Sequence, residues 1–236
     1  WKAKIITIYP EMFPGVLGHS IIGKALKDNI WSLDTINLHD FGYDERKSVD
    51  DSPFGGGPGM IIRPDVVEKA VMSVFENIQI KIPLVYMTPS GKPLKQKDIV
   101  NFSTQKGIII LCGRFEGVDT RVIDNLGFEQ ISIGDYVLSG GEVAAQVLVE
   151  GCVRLLPGVL GHAESILEES FAQNLLEYPQ YTRPKVWVDK KGNNHYVPDI
   201  LISGHHEKIK EWRKKKSVET TKKFRPDLFA KISEGK

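Results

Sequence analysis

Long apolar runs, cysteines and metal-ligand patterns are scarce or absent in this sequence of 236 residues. No apolar run reaches the roughly 18 residues that a membrane span needs. The N-terminal residues also lack the apolar stretch of a signal peptide, so we expect a cytoplasmic protein without a membrane partner. The two cysteines, Cys112 and Cys152, stand among apolar residues, which favours two buried thiols over a disulfide. The six histidines show no metal-ligand spacing, and we predict no metal-ligating residue.

Two familiar phosphate-binding loops are also missing. A dinucleotide-binding fold needs G-x-G-x-x-G directly after its first strand, but the segment Tyr9–Pro14 stands there instead. A P-loop needs Gly-Lys-Ser or Gly-Lys-Thr, and the sequence contains neither. A cofactor site in this chain must therefore use another arrangement.

Short β-rich apolar segments alternate with helical patterns over the first two thirds of the chain. Nearly continuous apolar runs are typical of strands that are covered on both faces. The predicted strands are Lys4–Tyr9, Thr35–His39, Ile82–Thr88, Gly107–Gly113 and Glu129–Ile133. The predicted helices are Ser20–Asn29, Pro64–Glu76, Asp119–Asn125 and Gly141–Leu156. The alternation predicts an α/β domain with a mainly parallel sheet.

The pattern changes after Leu160, which predicts a domain of residues 1–160, a linker of residues 161–173 and a small, largely helical domain of residues 174–236. The segment His205–Arg225 has nine Lys and Arg against three acids and carries a charge of +6, whereas the whole chain carries +1. Such a concentration indicates either a phosphate-binding surface or a solvated helix face, and the run alone does not decide between them.

Three glycine-bearing segments each follow a predicted strand. They are Tyr86–Gly91, Cys112–Gly117 and Ser132–Glu142. Ligands of open α/β sheets bind outside the carboxyl ends of the strands, and glycine lets a ligand approach the main chain closely. One such loop could be an ordinary turn, but three at strand ends favour a shared binding pocket.

The predicted helix Gly141–Leu156 has polar residues at every fourth position and is apolar elsewhere. They are Glu142, Gln146, Glu150 and Arg154. A helix that is apolar on most sides is buried or packs against a partner chain. Spacing alone favours a simple i,i+4 pair of Glu150 with Arg154 over a functional role for Arg154.

Six collinear segments, which cover nearly the whole chain, resemble those of the bacterial tRNA (guanine-N1)-methyltransferase family, a SPOUT-class family. They are Ile8–Phe13, Val49–Met60, Leu111–Asp119, Ser132–Glu142, Pro157–His162 and Tyr181–Pro184. The resemblance implies methyl transfer from S-adenosylmethionine to N1 of the guanine that is 3′-adjacent to the anticodon, at tRNA position 37. It also implies a deep C-terminal trefoil knot in domain 1–160, which the residue pattern alone does not show.

The resemblance further implies a homodimer whose sites draw on both subunits, and a tRNA partner. The cofactor-binding residues implied are Tyr86, Met87, Thr88, Pro89, Gly113, Glu116, Ser132, Ile133, Gly134, Asp135, Tyr136, Val137, Leu138, Gly140 and Gly141. The RNA-binding residues implied are Asp50, Arg183, Lys214 and Lys215. Trp212, between the lysines, is interpreted as an anchor of the small domain. The resemblance leaves magnesium open as an additional cofactor, and the sequence identifies no site for it.

The resemblance assigns two catalytic roles. An acidic residue just before Ser-Phe in the linker is the general base, which matches Glu169, and an arginine that stabilises charge on the guanine matches Arg154. The family's usual base is aspartate, so Glu169 departs from the pattern by one methylene, and neighbouring Glu168 is the alternative base.

Two rival functions are a non-catalytic RNA-binding relative and an α/β enzyme that uses a nucleotide cofactor on a small metabolite. The intact glycine-bearing segments argue against the first, and the +6 segment argues against the second.

Overall fold

Five parallel strands form the central sheet of the protein, for which a computed structural model describes residues 1–76, 82–160, 170–171 and 174–234. The sheet order is β2-β1-β6-β5-β7. The strands are β1 Lys2–Thr7, β2 Ser32–Asn37, β5 Leu84–Pro93, β6 Gly107–Cys112 and β7 Glu129–Ser132. All five predicted strands are confirmed. A separate two-stranded pair consists of β3 Asp50–Asp51 and β4 Ile61–Ile62.

The core lies on both faces of this sheet. Every residue of β6 is buried. Ile108, Ile110 and Cys112 belong to one apolar cluster, whereas Ile109 and Leu111 belong to the other. Successive side chains of a strand point to opposite faces, which explains the continuous apolar run in the sequence. Cys112 and Cys152 are both buried free thiols, as predicted, and burial raises the pKa of Cys152 to about 12.

Five helices accompany the described strands of the sheet. They are α1 Ser20–Lys27, α2 Pro64–Glu76, α3 Gln96–Ser103, α4 Thr120–Leu126 and α5 Glu142–Val153. Four were predicted and are confirmed, but α3 was missed. Its single short apolar face gives a weak periodic signal. The Asp98 side chain accepts hydrogen bonds from the Lys95 backbone N–H (3.0 Å) and from Lys92 Nζ (2.8 Å), which fixes the start of α3.

The chain divides into two compact units, Trp1–Gly161 and His162–Lys236. In the second unit the hairpin β8 Val186–Val188 with β9 Asn194–Tyr196 precedes α6 His206–Phe224 and α7 Pro226–Glu234. The helical prediction for residues 174–236 is therefore confirmed from His206 onward and wrong for the segment before it, where a hairpin and a 3-10 turn occur.

Along the described residues no helix combines the length and apolar character required to cross a membrane.

Candidate functional site

Three loops meet at the carboxyl edge of the sheet around a cavity of about 230 Å³. They follow β5, β6 and β7. In the sheet β5 lies between the other two strands. Parallel neighbours bring their carboxyl ends to one edge, so three segments that are separated along the chain become three walls of one cavity. The arrangement therefore provides a ligand site at the edge where α/β sheets bind their ligands.

All of the predicted cofactor-binding residues except Asp135 line this cavity. Asp135 is exposed and lies between Gly134 and Tyr136, which both face the cavity. Sequence reasoning left out six residues that also line the cavity, although most stand inside the glycine-bearing segments. They are Arg114, Phe115, Gly117, Ile131, Ser139 and Ala144.

A bulge in β5 forms the first wall. Met87 and Lys92 both pair with Ile131 of β7, so the residues between them leave the ladder. Thr88 and Pro89 are thereby displaced to the cavity instead of pairing with the neighbouring strand. Gly91 is required where β5 returns to pair with β7, because a Cβ there would lie 2.5 Å from the Ile131 backbone nitrogen.

The Tyr86 ring lies beneath the second loop, which follows β6. A Cβ at Gly113 would lie 2.9 Å from the Tyr86 hydroxyl, so only glycine allows the loop to pass over the ring. Burial raises the pKa of Tyr86, and hydrogen bonds to the Val118 backbone and the Thr88 side chain only partly oppose this shift. The hydroxyl therefore stays protonated at neutral pH and keeps its hydrogen-bonding role in the wall of the cavity.

A buried carboxylate joins the second loop to the third and to β1. Arg114 Nε donates to Glu142 Oε2 (2.9 Å), and Thr7 Oγ1 donates to Glu142 Oε1 (2.8 Å). The Glu142 side chain is 1% exposed. We name the group Thr7, Arg114 and Glu142 the clasp. A buried charge is stable only when it is paired and hydrogen-bonded, and here two donors satisfy both oxygens.

Two glycines let the clasp close. A Cβ at Gly140 would lie 2.2 Å from Arg114 Nε, and one at Gly141 would lie 2.9 Å from the Cys112 Cα. The Gly141 backbone N–H donates to the Gly113 carbonyl (2.9 Å). The second and third loops are thus joined by a main-chain hydrogen bond as well as by the ion pair, which holds both walls at a fixed spacing.

The segment after β1 supports the clasp. Arg114 stacks over the Tyr9 ring at 4.6 Å and donates to the Met12 sulfur at 3.1 Å. Gln146 Nε2 donates to the Met12 carbonyl (2.9 Å). Tyr9 and Met12 stand where a dinucleotide-binding fold would have its glycine-rich loop. They position Arg114 and, through it, the walls of the cavity.

The variant Thr7→Val is expected to lower the free energy of unfolding by about 1–3 kcal/mol, because it leaves a buried carboxylate oxygen without its donor. Valine has nearly the same shape as threonine, so the loss reports the hydroxyl, which donates to Glu142 and also accepts from the Tyr9 backbone N–H (3.0 Å). The matched variant Thr7→Ser keeps the hydroxyl and is expected to lose less. Denaturant unfolding measures both, and a Thr7→Val variant as stable as the wild type would contradict this role of the clasp.

The other predicted residues lie outside this cavity or outside the described residues. Arg154 follows the last residue of α5 and is half-buried. Glu168 and Glu169 lie outside the described residues. Asp50 belongs to β3. In the second unit Arg183, Lys214 and Lys215 are exposed. No cluster of three potential metal ligands occurs within the described ranges.

Trp212 packs inside the second unit. Its ring meets Tyr181 edge to face, with ring centroids 6.3 Å apart, and it is half-buried. Neighbouring Arg213 lies over the Tyr178 ring at 4.9 Å. These contacts agree with the interpretation of Trp212 as an anchor of the small domain.

The parallel sheet and the cavity at its carboxyl edge define a ligand-binding α/β protein. A family model described as tRNA (Guanine-1)-methyltransferase TrmD matches residues 1–231, and the chain belongs to that family. Relatives named tRNA (guanine-N(1)-)-methyltransferase include those of Rhodospirillum rubrum, 51% identical, and Ruegeria pomeroyi, 48% identical. The first alignment covers 98% of this chain and 93% of the relative, and the second covers 97% and 92%.

Proposed function

We propose that this protein transfers a methyl group from S-adenosylmethionine to N1 of the guanine 3′-adjacent to the anticodon, at tRNA position 37. The observation that carries the proposal is the three-walled cavity at the carboxyl edge of the sheet, in a chain that belongs to this family. Because tRNA is the substrate, we assign the protein to the cytoplasm.

The lining of the cavity suits the proposed donor. Ile131, Ile133 and Ala144 offer apolar contacts to a purine ring, and the glycine-rich loops offer main-chain N–H and C=O groups. Gly113 and Gly140 let these loops pack against Tyr86 and Arg114, which sets the spacing of the walls around the donor. When bound, S-adenosylmethionine supplies an electrophilic sulfonium methyl group. The residues of this chain hold it in line with the acceptor nitrogen.

The acceptor chemistry requires a base and a positive charge. N1 of neutral guanine carries a proton, and we assign its removal to Glu169. Negative charge then spreads toward O6 of the guanine, where the Arg154 guanidinium stabilises it. The guanine reaches these groups after leaving its stack in the anticodon loop.

The length of α5 supports a homodimer in which Arg154 serves the partner's cavity. Arg154 stands 10 residues after Ala144, the last residue of α5 that lines the cavity. At a rise of 1.5 Å per residue this is roughly 15 Å along the helix. Val143 and Val147 are exposed apolar residues of α5 and line a groove together with Val16 and Ile21. An apolar helix face of this kind is covered in a stable protein, and we propose a second copy as its cover.

The path of the chain supports the proposed trefoil knot. After β7 at the edge of the sheet, the chain returns past β5 to contact Gly113, directly after β6, and Thr7 at the end of β1. The third loop and α5 are thus drawn back into the centre of the sheet. We propose that this return passes through the preceding loops as a knot, which would fix the walls of the cavity.

The affinity for tRNA is expected to fall steeply with added salt, because Lys214, Lys215 and Arg183 contact backbone phosphates in the proposed complex. The double variant Lys214→Gln with Lys215→Gln should bind more weakly and with a shallower salt dependence. The control is Lys106→Gln, an exposed lysine just before β6, at the opposite edge of the sheet from the cavity. Filter binding across a salt series measures this, and an unchanged slope in the double variant would remove these lysines from the RNA surface.

Mapping the modified nucleotide tests the proposed activity directly. Methylation at N1 blocks the Watson–Crick edge, so reverse transcriptase stops one nucleotide before the modified guanine. A transcript incubated with enzyme and S-adenosylmethionine should give one stop at position 37, and a transcript with adenine at that position should give none. The absence of a stop on the guanine transcript would overturn the proposal.

A further inference from the structure

Phe54 is 98% exposed, which makes it the most exposed of the large hydrophobic side chains in the described parts of the chain. It stands at the tip of the loop between β3 and β4. Gly55, Gly56 and Gly57 follow it with positive φ, and a Cβ on any of them would meet nothing within 4 Å. The tip therefore projects into solvent and presents one aromatic ring there.

The C-terminal end of the same loop is hydrogen-bonded to residues that line the cavity. Glu116 N donates to the Met60 carbonyl and Ile62 N donates to the Gly117 carbonyl, both at 3.0 Å. A Cβ at Gly59 would overlap the Glu116 side chain. Glu116 and Gly117 line the cavity, so the ring of Phe54 is carried by a loop whose base is fixed beside the methyl-donor site.

The charges of the loop indicate whether its tip would contact the phosphates or the bases of a nucleic acid. Asp50 and Asp51 stand at the start of the loop, and its tip carries no cation. Arg63 at the far end is engaged by Asp65 (3.1 Å) and by Asp51 (3.5 Å). This arrangement disfavours phosphates, whereas an exposed ring flanked by glycines offers a flat apolar face to a nucleobase.

We propose that Phe54 stacks on a tRNA base next to the guanine that is methylated, and occupies the space that the extruded guanine leaves. The inference rests on the proposed function. Extrusion breaks base stacking, and an aromatic or apolar side chain at the gap restores part of the lost contact. Because the loop is anchored at Glu116 and Gly117, stacking at its tip would also set the distance between the RNA and the cavity.

Three replacements separate stacking from general apolar contact. Phe54→Trp keeps a π-face, Phe54→Leu keeps apolar bulk without one, and Phe54→Ala removes both. The ring makes no packing contact that folding depends on, and Met72→Ala, on the surface of α2, serves as the control for an exposed apolar side chain. The Kd for tRNA and the Kd for S-adenosylmethionine are measured for each variant, together with the fluorescence of a transcript with 2-aminopurine beside the target guanine.

We expect about a tenfold weaker Kd for tRNA in Phe54→Ala and Phe54→Leu, which corresponds to stacking worth roughly 1.4 kcal/mol. Phe54→Trp and Met72→Ala should match the wild type, and binding of S-adenosylmethionine should be unchanged in all. Binding should quench the 2-aminopurine in the wild type and in Phe54→Trp only. Wild-type tRNA binding and quenching by Phe54→Ala, or wild-type tRNA affinity of Phe54→Leu, would overturn the inference. A wild-type enzyme that leaves the transcript unmethylated would instead overturn the proposed function.

Discussion

The variant Glu169→Gln is expected to transfer methyl groups at least tenfold more slowly than the wild type in single-turnover assays on a tRNA transcript. General base catalysis contributes about 10²–10⁴-fold, and glutamine keeps the shape of the side chain but cannot accept the N1 proton. Binding of S-adenosylmethionine, measured by calorimetry, should be unchanged because the carboxylate acts on the guanine. The loss should shrink at high pH, where guanine loses its N1 proton without a base.

Glu168→Gln is the matched control, since it removes a carboxylate one residue away. It should keep nearly the full rate. If Glu169→Gln is as fast as the wild type while Glu168→Gln is slow, the base is Glu168. The variant Glu169→Asp tests whether the extra methylene of glutamate matters. It should retain most of the activity if only the carboxylate is required.

The strands of the sheet were predictable because burial on both faces leaves a continuous apolar run, as in β6. The cavity was predictable for a related reason, since glycine-bearing segments after parallel strands share one edge of the sheet. Helix α3 was missed because its start depends on Asp98, whose partner Lys92 belongs to the preceding strand. That contact joins the helix to the end of the strand before it and leaves no periodic signal in the sequence.

The clasp shows a second limit of sequence reasoning. Glu142 and Arg114 are 28 residues apart, and Glu142 and Thr7 are 135 residues apart. The four-residue spacing of Glu142, Gln146, Glu150 and Arg154 places these residues near one face of a regular helix. In the structure Glu142 is buried in the clasp beside the cavity. Gln146, which donates to the Met12 carbonyl, and exposed Glu150 instead line the groove beside the valines. An angular drift of roughly 40° per step accounts for this change of side.

Replacing Arg154 by alanine is expected to lower turnover at least tenfold while binding of S-adenosylmethionine persists. Removing one group that stabilises developing negative charge typically costs about 10²–10³ in rate. Arg154 is absent from the residues that line the cavity of its own chain, so the loss should appear in the rate of transfer and not in the affinity for the donor. Arg154→Lys keeps the charge without the planar fork and should recover only part of the rate.

Mixed dimers then test whether Arg154 acts in its own subunit or in its partner. Ala144 lines the cavity and is buried, so Ala144→Phe should fill the cavity and abolish donor binding. Each variant alone should have little activity as a homodimer. A mixed dimer of Arg154→Ala with Ala144→Phe combines the open cavity of one subunit with the arginine of the other, and it should regain about half of the wild-type activity if Arg154 crosses the interface. If Arg154 served its own cavity, neither subunit of the mixed dimer would hold a complete site, and purified mixed dimers would stay inactive.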